Sequence, residues 1–118
     1  MKDYGHFIGG KHVAGTSKRY GDVWNPSTGR LKDRVILATA SDLNSAVEVA
    51  KQAQPAWANT NPQRRARVLM RFIDLINSEM DILAALLSSE HGKTILDAKG
   101  DIQRGVEAVE FYCGIPHL

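Results

Sequence analysis

The residues of this chain that could do chemistry fall in a few short stretches. Gly5-His6-Phe7-Ile8-Gly9-Gly10-Lys11-His12 has the glycine and lysine spacing of a phosphate-binding loop, but His12 stands where a Ser or Thr should hold Mg²⁺. No strand is expected ahead of it, and Phe7-Ile8 suits a strand better than a phosphate cradle, so the stretch reads as a hairpin. Gly92-Lys93-Thr94 is similar to the end of such a loop, yet Leu87 occupies the upstream glycine position; a helix cap followed by the next N-cap is the structural reading. Ser88, Ser89, Glu90 and His91 supply the residue types of a triad. As sequence neighbours they fan around a helix axis, whereas a triad needs groups that converge.

The four histidines show no metal-ligand spacing and no cysteine pair accompanies them, so no metal site is expected. Cys113 falls on an apolar helix stripe, where a thiol is buried and inert, so no catalytic residue is assigned to it. Arg64, Arg65, Arg67 and Arg71 form a basic cluster without interleaved aromatic residues, which fits a solvated helix face better than nucleic-acid binding. Arg104 has two readings that stay open on residue type alone. It can be a surface arginine paired with Asp97 or Asp101, or a guanidinium whose planar fork grips a ligand carboxylate.

These residues ride on two kinds of element. Gly9-Gly10 between His6-Phe7-Ile8 and Lys11-His12-Val13 predicts a tight hairpin, because a primed two-residue turn needs positive φ at both positions. Tyr20 to Trp24 and Leu31 to Leu37 read as extended runs around an Asn25-Pro26-Ser27-Thr28-Gly29 turn, giving edge hairpins rather than a central sheet. From Ser41, a plausible N-cap, the pattern is helical, with Ala46, Val47, Ala50, Ala53 and Trp57 on one stripe and Pro55 expected to end or bend the helix. Asn61-Pro62 starts a second helix carrying Ala66, Leu69, Phe72, Ile73 and Ile76. A third runs from about Asp81 to His91 with Leu83, Leu86 and Leu87 inward, and stops at Gly92.

Thr94-Ile95-Leu96-Asp97 is similar to a capping box opening a fourth helix, which Gly114 and Pro116 close. On that helix Ile95, Ala98, Ile102, Val106, Val109 and Cys113 make one apolar stripe, while Arg104, Ala108 and Phe111 point the opposite way. A purely solvated face rarely includes a phenylalanine, so a partner is expected to cover Phe111. The fold class expected is α+β: short N-terminal β-hairpins over residues 1–40, then about four α-helices over 41–118, the two forming one incomplete domain.

The composition excludes several classes. At 118 residues, 43% hydrophobic and 24% charged, the chain is an ordinary globular one, small for a complete dehydrogenase or transferase. No apolar run approaches a membrane span, and MKDYGHFIGG has neither a signal core nor a transit helix, so a cytoplasmic location is expected. A net charge of +2 from 15 basic and 13 acidic side chains is too balanced for a nucleic-acid footprint, and one cysteine precludes an internal disulfide.

His6-Phe7-Ile8-Gly9-Gly10-Lys11, Trp24-Asn25-Pro26-Ser27-Thr28-Gly29, Gln54-Pro55-Ala56-Trp57, Arg64-Arg65-Ala66-Arg67 and Glu90-His91-Gly92-Lys93-Thr94 occur in that order. Together they resemble the amino-terminal region of the aldehyde dehydrogenase superfamily. Asp101-Ile102-Gln103-Arg104-Gly105 and Val109-Glu110-Phe111-Tyr112-Cys113-Gly114-Ile115-Pro116 resemble its CoA-acylating branch, the methylmalonate-semialdehyde dehydrogenases.

The resemblance implies part of an α/β NAD-binding domain in an NAD-dependent parent enzyme. There a cysteine attacks the aldehyde, hydride passes to the nicotinamide, the carboxylate leaves as bicarbonate, and the acyl group is handed to CoA. It implies that the fourth helix lines the substrate tunnel, with Arg104 matching the arginine that holds the substrate carboxylate and Ala108 and Phe111 beside it. It also implies that Cys113 is not the catalytic cysteine, that nucleotide-binding units, general base and oligomerisation strands lie outside these residues, and that none of the chain's residues binds NAD or CoA. The partners expected are the rest of the parent enzyme, other copies in a homo-oligomer, and a small semialdehyde, with no nucleic acid and no membrane. The segment alone is then expected to be inactive. The competing reading is a stand-alone helical interaction or oligomerisation module without catalysis.

Overall fold

The computed structural model describes residues 1–118 as strands β1 (Asp3–Tyr4), β2 (His6–Ile8), β3 (Lys11–Val13), β4 (Tyr20–Trp24) and β5 (Leu31–Ile36), then helices α1 (Ala40–Ala58), α2 (Pro62–Ser78), α3 (Met80–His91) and α4 (Ile95–Cys113), and a closing 3₁₀ turn (Ile115–His117). The expected α+β class with four helices is what forms. Packing divides the chain into Met1–Asn59 and Thr60–Leu118. The change of composition near residue 40 separates strand from helix, while the packing boundary falls after α1.

In the first unit, Gly9 (φ 61°) and Gly10 (φ 76°) make the expected two-residue turn, and β2 pairs antiparallel with β3 in the register His6↔Val13, Phe7↔His12, Ile8↔Lys11. The turn lies over α1, since a Cβ on Gly9 would sit 3.2 Å from Val49 Cγ1. β4 and β5 form the second hairpin, with a register irregularity at Val23/Trp24. Asn25 closes its loop by accepting from the Ser27 N–H at 2.9 Å, an Asx turn.

The hairpin expectation is incomplete here, because β1 adds a third strand, parallel to β5, in the order β1-β5-β4. Arg34 holds it through two bonds to Asp3, each 3.0 Å, and the Lys2 N–H donates to the buried Asp33 at 2.7 Å. The hydrogen bond to Asp3 raises the Arg34 pKa. A strand thus does precede Gly5, against the sequence reading, but it leads into a hairpin and not into a helix, so no phosphate cradle results.

The N-cap of α1 is Thr39, not Ser41, which is exposed within the first turn. Thr39 Oγ1 accepts from the Asp42 N–H at 3.1 Å, and Asp42 Oδ2 accepts from the Thr39 N–H at 2.9 Å, a reciprocal capping box. α1 runs on through Pro55 and ends one turn later at Ala58, so the proline does not stop the helix at once; it removes the N–H that would have donated to the Lys51 carbonyl. The covered side of α1 runs through Asp42, Ala46 and Val49; of the stripe expected there, Val47, Ala50, Ala53 and Trp57 are exposed.

In the second unit Asn61 caps α2, accepting from the Gln63 N–H at 3.0 Å, with Pro62 in the first helical position. Glu79 alone separates α2 from α3, and Gly92 ends α3 at φ 81°. α4 packs on both α2 and α3. The apolar side chains buried between them are Ala66, Ala84, Ala98 and Val106, small enough to let three helices approach closely. Phe72 and Leu86, expected inward, are about half exposed.

Candidate functional site on the open side of α4

Thr94 Oγ1 caps α4 by accepting from the Asp97 N–H at 3.2 Å, one half of the box expected there. The helix buries Ala98 and Val106 and half-buries Ile102, Val109 and Cys113. Ile95, at the same angle on the wheel, is exposed because it lies in the first turn. Cys113 is half-buried, not fully enclosed, with Sγ 3.9 Å from the Ala66 carbonyl. Every other residue of the stripe faces the helix pair as its spacing predicts.

On the opposite side Arg104, Ala108 and Phe111 are exposed together, at successive helical positions of one face. The Arg104 side chain is 73% exposed and Phe111 66%. Phe111 meets Tyr112 edge to face with ring centroids 6.0 Å apart. An apolar ring, a small residue and a guanidinium side by side are what a short carboxylate-bearing ligand needs: one charge-assisted grip and an apolar bed for its carbon chain.

The sequence foresaw Asp101 as a partner for Arg104, and the two are paired one helical turn apart. It did not foresee Lys93, which takes the other oxygen of the same carboxylate. Lys93 sits in the α3–α4 link, where its carbonyl accepts from Ser88 Oγ at 2.7 Å. A signal for that contact was slight, since the two residues are eight apart with a helix cap between them. Asp97, the other acid considered for Arg104, is exposed in the first turn. Lys99 pairs with Asp81 across α4 and α3, and that hydrogen bond holds the Asp81 carboxyl below the usual carboxylate range.

The remaining candidates do not converge. Ser88 Oγ and Ser89 Oγ both donate to backbone carbonyls, Lys93 O and Leu86 O, so neither is poised as a nucleophile. Of the α2 arginines, Arg64, Arg67 and Arg71 are exposed and Arg65 is half-buried, with Ala66 between them turned into the helix pack. No three His, Cys, Asp or Glu side chains are grouped to hold a metal ion. β5 passes into α1 through Leu37-Ala38-Thr39 without a glycine, and Gly92-Lys93-Thr94 follows a helix, so neither link is a glycine-rich strand-to-helix turn for a pyrophosphate.

Residues 12–117 match the model of the aldehyde dehydrogenase family. The chain belongs to that family. A malonate-semialdehyde dehydrogenase of Pseudomonas aeruginosa is 44% identical over 113 residues, covering 96% of this chain and 22% of the relative. The human mitochondrial methylmalonate-semialdehyde/malonate-semialdehyde dehydrogenase [acylating] is 40% identical over 112 residues, covering 95% of this chain and 21% of the relative. A crystal structure described as a methylmalonate-semialdehyde dehydrogenase of Sinorhizobium meliloti, complexed with NAD, superposes with a TM-score of 0.95 at 61% identity. It covers 98% of this chain and 23% of that one, and the part matched is the N-terminal part of the aldehyde dehydrogenase fold. The chain thus spans less than a quarter of the curated relatives it matches. No helix in it is long and apolar enough to cross a membrane.

Proposed function

We propose that this chain supplies one wall of the substrate tunnel in an NAD-dependent, CoA-acylating dehydrogenase of malonate or methylmalonate semialdehyde. Arg104 grips the substrate carboxylate, and Ala108 and Phe111 line the path of its carbon chain. The reading is carried by one observation: the guanidinium, the small residue and the ring share an open face of α4, while the opposite face is packed on α2 and α3. The names of the relatives, which are semialdehyde dehydrogenases of carboxylated substrates, support the same substrate class. NAD accepts hydride in such enzymes, and CoA takes the acyl group. Neither is held by the residues of this chain, whose part is to bind and orient the substrate. The nucleophile and cofactor bed belong to the rest of the enzyme, so these residues alone are inactive, and copies of the complete enzyme assemble as a homo-oligomer.

Arg104→Ala in the complete enzyme tests this. A charge-assisted hydrogen-bond pair is worth about 1.5–3 kcal/mol, so KM for the carboxylated aldehyde should rise about 10- to 100-fold. KM for a neutral aldehyde of the same length should stay within about twofold, since it makes no bond to the guanidinium. Equal effects on both aldehydes would remove the role assigned to Arg104.

A further inference from the structure

We propose that Asp101 is a positioning residue that presents Arg104 to the substrate carboxylate, and that Lys93 is the fixed counter-cation that makes this possible. The proposal rests on the role of Arg104 given above. One carboxylate serves two cations here: Asp101 Oδ1 accepts from Arg104 Nη2, and Asp101 Oδ2 accepts from Lys93 Nζ. The three side chains are graded in exposure, with Lys93 at 19%, Asp101 at 31% and Arg104 at 73%. Lys93 is the anchored inner end, because Gly92 ends α3 at φ 81°, Ser88 Oγ ties down the Lys93 carbonyl, and Thr94 caps α4 next to it. Arg104 is the exposed outer end.

Two physical consequences follow. A lone arginine on an exposed helix face samples many rotamers, and tethering it through a single Nη2 bond removes that freedom before the ligand arrives. The tether leaves the rest of the guanidinium's N–H donors uncommitted, enough for a bidentate grip on a second carboxylate. Charge is the other consequence. If Asp101 neutralised Arg104 alone, an incoming carboxylate would meet a pair with no net charge and would add an unbalanced negative one. With Lys93 on the other oxygen, two cations face two carboxylates once the substrate is bound. Lys93 is what allows Asp101 to steady Arg104 without repelling the substrate.

The test uses the complete enzyme with 3-oxopropanoate as the carboxylated aldehyde and propanal as the neutral one. Asp101→Asn should raise KM for 3-oxopropanoate about five- to tenfold, the size that coupling within a contact pair gives, with kcat and propanal turnover little changed. Asp101→Glu should recover part of that loss, and Lys93→Met should reproduce it. In an Arg104→Ala background Asp101→Asn should add nothing further. Binding of malonate, followed by calorimetry on the same variants, gives a readout that does not need turnover and applies to any variant that folds. Asp101→Asn leaving KM and malonate affinity unchanged or improved, while Arg104→Ala weakens both, overturns the positioning role and leaves the Arg104 reading intact. Arg104→Ala acting equally on both aldehydes, with malonate binding unchanged, overturns the Arg104 reading and this proposal with it. Should Asp101→Asn not fold, Lys93→Met and Asp101→Glu decide the matter by the same criteria.

Discussion

Replacing alanine by leucine at two positions of α4 separates its packed side from its open side. Ala98 is 0% exposed, enclosed where the helix meets its neighbours, and Ala108 lies on the exposed face with Arg104 and Phe111. Alanine and leucine differ little in helix propensity, so the intrinsic effect of the change nearly cancels between the two sites. At Ala98 the added carbons have no room, and overpacking of that kind costs about 1–3 kcal/mol through displaced rotamers and backbone. At Ala108 the added side chain points into solvent, and the effect should lie within about 0.5 kcal/mol of zero. With a urea dependence of about 1–3 kcal/mol per molar, Ala98→Leu should lower the unfolding midpoint by roughly 1 M and Ala108→Leu should scarcely move it. Far-UV circular dichroism of the 118-residue chain reads both. Equal losses would mean that the Ala108 face is covered within the chain, and the candidate site would have no opening. No loss at either position would contradict the packing of α4 between α2 and α3.

Two further expectations concern the ends of the helices. Thr39, through its backbone N–H first and its hydroxyl second, and then Thr16 together hold the Asp42 carboxyl at about 2, below the usual 3.8. Above pH 3.8 the folded and unfolded carboxylates are both ionised and the cap stabilises fully; as pH falls from 3.8 through about 2, the unfolded form takes up its proton first and the stabilisation is lost. An acid titration of helix content should therefore show a transition component in that window that Asp42→Asn removes; an unchanged acid limb would contradict the box. Gly92 stands at φ 81°, where an L-residue is strained by about 1–2 kcal/mol, so Gly92→Ala should lower the unfolding midpoint and Gly92→Asn should lower it less. Equal tolerance of both would show that the left-handed cap is not needed.

What could be read in the sequence was local. Gly9-Gly10, Asn61-Pro62 and Gly92 each act through the backbone of a few adjacent residues, and each forms the turn or cap its chemistry predicts. At the start of α1 the helical pattern points to Ser41, but Thr39 has an acid at the reciprocal position three residues on, and Thr16 joins them from a distant loop. β1 was illegible because two residues carry no periodicity; the Asp3–Arg34 pair that fixes it spans 31 positions. The α1 stripe failed for another reason. Helical spacing identifies residues that share a face, but which face is covered depends on where the preceding chain lies: the Gly9 turn lies over Val49, and Thr16 meets Asp42. For the candidate site, the wheel placed Arg104, Ala108 and Phe111 correctly relative to Ala98 and Val106, since all five ride on one rigid helix. Lys93 was beyond it, because its reach to Asp101 is set by how the chain leaves α3.

Exposure alone does not locate a site in this molecule. Leu96, Leu75, Ile82 and Leu43 are each at least as open as, or nearly as open as, Phe111. Such plainly apolar surface is matched by other apolar surface, through contacts that exclude water and have no directional demand. The face of α4 differs in kind, because beside its ring stands a cation already fixed by a neighbour and still holding N–H donors in reserve. A protein surface packing against that cation would have to supply acceptors for the N–H donors that Asp101 leaves uncommitted, or bury them unsatisfied, which is unfavourable. A small carboxylated ligand brings the matching charge with it and can leave again. That asymmetry is why the Arg104 face reads as a ligand surface while the leucine- and isoleucine-rich faces read as packing surfaces. If Arg104 holds the substrate carboxylate as proposed, selectivity resides in the Lys93–Asp101–Arg104 row, where one charge more or less should change which ligands enter.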